Sequence, residues 1–267
     1  MESEKQLKFL SILNLVGYLG TVIVNALANA LPINNKTTAQ LSDQYPNLFV
    51  PAGLTFSIWG VIYLLLAIFV IYQVIATFRK DKSSLKPFAR IGYLFFLSSL
   101  LNIGWIFAWQ YEIVPLSLVF MLLLLGCLLA IYIRLGIGKE GSPKNEQYLI
   151  HLPFSVYLGW ITIATIANVT ALLVDINWNR FGLSDQFWTV AVIVVGIGIA
   201  LSILIRRQDI YYCLVVAWAF GGILIKRLAD AVPVQSVIIA AIVGVVLIIL
   251  GIIVQIARRK VYSVSTG

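Results

Sequence analysis

Apolar residues in this chain gather into long runs separated by short polar segments. Runs long enough to form helices of about 30 Å, the thickness of a bilayer core, fall at residues 7–31, 51–78, 91–111, 113–135, 149–174, 187–205, 210–228 and 234–257. None alternates apolar and polar positions as a membrane-barrel strand does, and backbone groups in lipid must otherwise be paired within each segment. The pattern predicts an all-α integral membrane protein with eight transmembrane helices.

The polar and aromatic positions inside the runs sort onto faces. In the first span Asn14, Tyr18, Thr21, Asn25 and Asn29 make one stripe, expected to face the protein because amides turned to lipid would go unpaired. The second span opens at Pro51, whose missing N–H has no helical partner in a first turn, so a helix is expected to start there. Phe56, Trp59 and Tyr63 follow at i, i+3 and i+7 and either pack on neighbouring helices or line a pocket. The third span carries Asn102, Trp105 and Trp109 on one face. Trp109, a turn from Glu112, reads as an interfacial anchor, while Trp105 is too deep for that role. In the fifth span Trp160, Ala164 and Asn168 share a face, and the small residue leaves room for a helix or a ligand.

The connecting segments add detail. Residues 32–50 form a polar loop longer than the usual helix connection, either an ordered lid or a disordered stretch. Arg79 to Arg90 is the most basic loop, suited to anionic headgroups. Glu112 and Pro115 mark a tight reversal that makes the third and fourth spans antiparallel neighbours. The fourth span ends on a loose sterol-contact pattern through Leu129, Tyr132 and Arg134. His151, the only histidine, reads as an interfacial residue. The last three spans are lipid-facing and packing helices, apart from Tyr211, Tyr212, Trp218 and Gly221-Gly222 in the seventh, where Lys226 and Asp230 form an i, i+4 pair.

Composition agrees with the pattern: 61% of the 267 residues are hydrophobic and 11% charged, against roughly 25% charged in a soluble domain. The net charge of +8 could suggest nucleic acid, but 15 of the 19 lysines and arginines fall on one set of connections. Lys36, Arg180, Lys226 and Arg227 fall on the other. The positive-inside rule then places both termini in the cytoplasm, and no nucleic-acid partner is expected. Ala28-Asn29-Ala30 looks like a signal-peptidase site, but the apolar stretch before it is too long for a cleaved leader and its start is not clearly basic. Cys127 and Cys213 lie within spans and offer neither a disulfide framework nor a metal motif. No nucleophile–base pair or cofactor loop is visible, so no metal or cofactor is expected. Neither buried charge near a span centre nor an internal repeat supports an ion-coupled pump.

Counting 1.5 Å per residue from the outer surface puts Trp59, Trp105 and Asn168 at about 10–12 Å, Asn102, Ala164 and Tyr63 at about 15–18 Å and Trp160 at about 22 Å. Three helices thus bring rings and two amides into one layer under the 32–50 loop. Such a layer suits a flat hydrophobic ligand.

At these residues the chain resembles the tryptophan-rich sensory protein / translocator protein family (TspO and peripheral benzodiazepine receptor relatives). The blocks are Trp59-Gly-Val-Ile-Tyr63, Leu101-Asn102-Ile-Gly-Trp105 and Trp160-Ile-Thr-Ile-Ala164-Thr165-Ile-Ala-Asn168. The likeness covers about residues 7–174. It divides the chain into a five-helix bundle, 1–178, and three additional helices with a short cytoplasmic tail, 179–267. Within it the family's proline just before the second-helix tryptophan is missing. The resemblance implies a bundle, often homodimeric, in a bacterial plasma membrane, that binds tetrapyrroles such as protoporphyrin IX, or sterols in animal members. Phe56, Trp59, Tyr63, Asn102, Trp105, Trp160, Ala164 and Asn168 are the expected ligand-binding residues. Some bacterial members degrade porphyrin in light, which would give Trp59 and Trp160 a conditional catalytic role. A small-molecule permease is the other reading. Membrane lipid and a porphyrin-like small molecule are the expected partners.

Overall fold

The computed structural model describes residues 4–30, 33–79, 85–139 and 142–264, with side chains as far as Arg258. Among these residues there is no strand. Seven helices are long and apolar enough to cross a membrane, and Leu94–Gln110 is a shorter apolar one, which together account for the eight expected spans. In chain order they are α1 (Glu4–Ala30), α3 (Ile58–Phe78), α5 (Leu94–Gln110), α6 (Val114–Leu135), α8 (Leu152–Asp175), α9 (Asp185–Arg207), α10 (Ile210–Leu228) and α11 (Gln235–Val264). Short helices α2 (Thr38–Asp43), α4 (Lys86–Ile91) and α7 (Lys144–Glu146) lie in the connections, and α7 runs through a π-helical turn at Gln147–His151 into α8.

Five spans close a ring in which α1 packs on α3, α3 on α8, α8 on α6, α6 on α5 and α5 back on α1. Small residues let them approach. A Cβ on Gly17 of α1 would come within 2.9 Å of Phe96 and 3.1 Å of Ser99 on α5, and one on Gly104 of α5 within 2.6 Å of the Phe120 ring on α6. In lipid, where apolar surface gains little by leaving its surroundings, such close contact and interhelical hydrogen bonds hold helices together. The polar stripe of α1 supplies those bonds. Asn14 Nδ2 donates to Gln73 Oε1 (3.0 Å), Tyr18 to the Tyr63 carbonyl (3.0 Å) and Asn25 Nδ2 to Asn102 Oδ1 (2.8 Å). The opposite face of α1, with Phe9, Ile12, Val16, Leu19, Ile23 and Leu27, is exposed, as a lipid-facing surface must be.

The remaining spans, α9, α10 and α11, pack on one another and join the ring mainly through α10 against α8. Gly159 of α8 allows this, since a Cβ there would sit 3.0 Å from the Tyr212 carbonyl oxygen. At the end carrying the termini the joint is polar. Asp209 is 5% exposed. It caps α10 by accepting from the Tyr211 and Tyr212 amides (3.1 Å each) and also accepts from Tyr132 of α6 (2.9 Å) and Ser155 of α8 (2.7 Å). Four donors compensate a carboxylate that would be costly to bury alone.

Several expectations change. The helix does not begin at Pro51: Ala52 is extended (ψ 146°) and a 3₁₀ turn, Gly53–Ser57, precedes α3, with the Ala52 amide on the Gly222 carbonyl of α10 (3.0 Å). Lys226 does not pair with Asp230. It reaches Asp43 across the molecule, and Arg227 takes Asp230 (3.2 Å). Tyr132 is buried on Asp209, so the sterol-contact pattern does not face lipid as a unit. His151 is 6% exposed, with Nε2 3.3 Å from Glu146 Oε1. Pro32 of the long loop, and Lys80 and Lys82 of the basic loop, lie outside the described residues.

Candidate aromatic binding site

At the end of the ring away from the termini, residues 33–52 form an ordered cover. Its α2 begins with a capping box: Thr37 Oγ1 accepts from the Gln40 amide (3.2 Å) and the Gln40 side chain accepts from the Thr37 amide (2.8 Å), satisfying donors that a helix start leaves orphaned. Asn34 Nδ2 donates to the Gln110 carbonyl (3.0 Å), Lys36 pairs with Glu112 and, on the far side, Lys226 pairs with Asp43. Tyr45 lies on Trp109, with ring centroids 5.7 Å apart. Burial, aided by the Glu112 and Asp175 carboxylates, pushes its phenol pKa up.

Beneath the cover the aromatic residues meet. Tyr63, Trp59, Trp105 and Trp109 form a ladder of near-parallel rings with successive centroids at 5.6, 5.9 and 6.3 Å and interplanar angles of 18°, 29° and 17°. Trp160 stands edge-on to Trp59 at 6.1 Å, Tyr157 edge-on at 6.2 Å, and Phe56 edge-on to Trp160 at 6.0 Å. Both arrangements are favoured by the ring quadrupole.

Six of the predicted site residues, Phe56, Trp59, Trp105, Trp160, Ala164 and Asn168, line one cavity with Thr38, Ser42, Pro51, Trp109, Ile163 and Ala167. Tyr63 and Asn102 stand one layer back. Tyr63 supports Trp59 by stacking, and Asn102 ties α1 to α8 by accepting from Asn25 and donating to the Tyr157 hydroxyl (3.1 Å). Asn168 is likewise engaged, accepting from Trp105 Nε1 (3.2 Å) and donating to Ser117 (2.9 Å). Two polar atoms on cavity-lining residues are different: Trp160 Nε1 and Thr38 Oγ1 are buried without a hydrogen-bond partner, a costly state that marks a place for a ligand atom or water.

The cavity measures about 40 Å³, room for a water or two and far below the ~300–1,000 Å³ of small-molecule pockets. The rings fill it themselves. Larger cavities of about 610 and 540 Å³ lie at the covered end and the termini end of the molecule.

Sequence reasoning placed Trp109 at the membrane surface. It is instead 6% exposed in the ring ladder, because the cover shields it and takes its Nε1–H at the Thr38 carbonyl (3.4 Å). Tyr157, Thr38 and Ser42 were missed. The Thr37-x-x-Gln40 box was the available signal for α2, whereas nothing near Tyr157 distinguishes it from ordinary packing. No titratable side chain lines the cavity. Among the described residues no group of three or more His, Cys, Asp or Glu could hold a metal, and both cysteines are free and buried.

No curated protein and no solved structure matches the chain. A family profile does: the sequence match runs through residues 11–254, taking in the three C-terminal spans that the expected likeness left out. Eight apolar helices, an aromatic layer on α3, α5 and α8, and a match over most of its length together show that the chain belongs to the family of TSPO-like proteins.

Proposed function

We propose that the aromatic layer binds a planar hydrophobic ligand, and that a tetrapyrrole such as a porphyrin is that ligand. Family membership supports a ligand-binding or transport role in the membrane. The choice of ligand rests on the ring ladder beside the unpartnered Trp160 Nε1–H, which offers flat faces and one donor for an acceptor atom. The cavity of about 40 Å³ is the closed form, and ligand entering it separates rings and lifts the cover. In this reading residues 1–178 form the binding unit, 179–267 support it, the cover faces outward and both termini face the cytoplasm. Lipid, or a second copy of the chain, covers the exposed face of α1.

Titration of the purified protein with protoporphyrin IX, followed by tryptophan quenching, tests this. Saturable quenching is expected, with affinity lowered about tenfold or more by Trp59→Phe with Trp160→Phe, as losing a stacking face and a donor requires. Unchanged affinity in that double variant rejects the site. The edge-on contact of Trp59 and Trp160 at 6.1 Å favours one further reading, light-driven oxidation of the porphyrin by dissolved dioxygen with these indoles beside it. It requires porphyrin bleaching in light that both single phenylalanine variants slow.

A further inference from the structure

We infer that a second binding site, a vestibule for a planar amphiphile bearing an anionic group, lies between the covered ends of α8 and α9 and the loop segment Pro46–Leu48, and that it is the route to the aromatic layer. The route, though not the site, rests on the function proposed above.

The vestibule is the cavity of about 610 Å³, within the usual range for small-molecule pockets. Both it and the aromatic cavity are lined by α8. Ile163 and Ala167 line the inner space, and Thr170 and Val174 line the outer one, a series at steps of four, three and four residues that shares one face of α8. The cover contributes to both spaces, Thr38 and Ser42 to the inner one and Pro46, Asn47 and Leu48 to the outer.

Its lining has two chemistries. Leu173, Val174 and Val192 give an apolar floor. At the rim stand Trp178 and Trp188, with centroids 5.1 Å apart, and Trp188 Nε1–H is fixed on the Arg180 carbonyl (2.9 Å). Indoles suit a flat body at the membrane surface. The cation is Arg180. Its Nη1 meets Asp185 Oδ1 at 2.6 Å, but the two side chains are 45% and 60% exposed, and exposed pairs contribute little. A carboxylate or sulfonate can therefore take the guanidinium fork from Asp185. Because α9 supplies Asp185, Trp188 and Val192, the site is a product of the C-terminal helices. A free planar amphiphile and an anionic phospholipid headgroup share this chemistry, so the test must separate them.

The full chain in phosphatidylcholine nanodiscs is titrated with anilinonaphthalene sulfonate, an aromatic anion with a flat naphthalene body, too large for the inner cavity. Saturable fluorescence enhancement is expected, abolished by Val192→Trp, weakened about two- to fivefold by Arg180→Gln through loss of one partly exposed ion pair, and unaffected by Trp160→Phe. Enhancement equal in wild type and Arg180→Gln, whose substitution is on an exposed side chain, overturns the site, as does its displacement by phosphatidylglycerol but not by protoporphyrin IX. Stopped-flow binding of protoporphyrin IX then tests the route, with association and dissociation both slowed in Val192→Trp at an unchanged equilibrium constant. Equal rates overturn the route alone, and sulfonate binding without any porphyrin binding retains the vestibule while rejecting the ligand proposed for the aromatic layer.

Discussion

Single side chains in this site divide into those that hold the structure and those left free. Trp105 and Trp160 look alike in sequence, each an indole deep in a span, yet Trp105 Nε1 donates to Asn168 and Trp160 Nε1 has no partner. Changing each to phenylalanine removes the same volume, so the difference isolates the hydrogen bond. Trp105→Phe should lower stability by about 1 kcal/mol more than Trp160→Phe, measured by thermal unfolding in detergent. Equal losses would show that the Trp105–Asn168 bond contributes nothing. Asp209 makes the same point at the termini end. Asp209→Ala removes an acceptor from two buried hydroxyls and two amides and should cost about 3 kcal/mol or more, again read from unfolding. Spacing within a helix revealed which rings share a face. It could not reveal that Asn102 and Asn168 spend their amides on other helices, since those partners come from remote parts of the chain.

At the scale of elements, the eight spans were legible because lipid demands long apolar helices whatever their neighbours do. Their ends were less so. α3 starts after Pro51, where Ala52 is extended and bonds to Gly222, 170 residues further along. The same contact makes α10 the clamp on the cover. Trp218 Nε1 donates to the Thr55 carbonyl (3.0 Å), and a Cβ on Gly222 would stand 2.0 Å from Thr55 Oγ1. Gly222→Ala must push the 3₁₀ turn and α10 apart, at a cost of about 1–3 kcal/mol for overpacking. It should also speed porphyrin association, measured by stopped-flow quenching. Slower association would mean that the cover does not limit access.

For the molecule as a whole, five helices in a ring and three leaning on it through α10 and α8 give one assembly whose aromatic layer is shut. The distribution of basic residues predicts its orientation: a cysteine introduced at Asn47 should react with impermeant maleimide added outside intact cells, and one at Lys139 only after lysis. Reversed labelling would invert the topology. What the sequence could not convey was closure, because ring identities show who can stack and leave open whether the space between them is empty. The most direct measurement is therefore a structure of the protein with protoporphyrin IX bound. The macrocycle is expected beneath α2, against Trp59 and Trp160, with an acceptor on Trp160 Nε1 and the Trp59–Trp105 spacing widened from 5.9 Å. Porphyrin bound elsewhere, with that ring ladder intact, would contradict it.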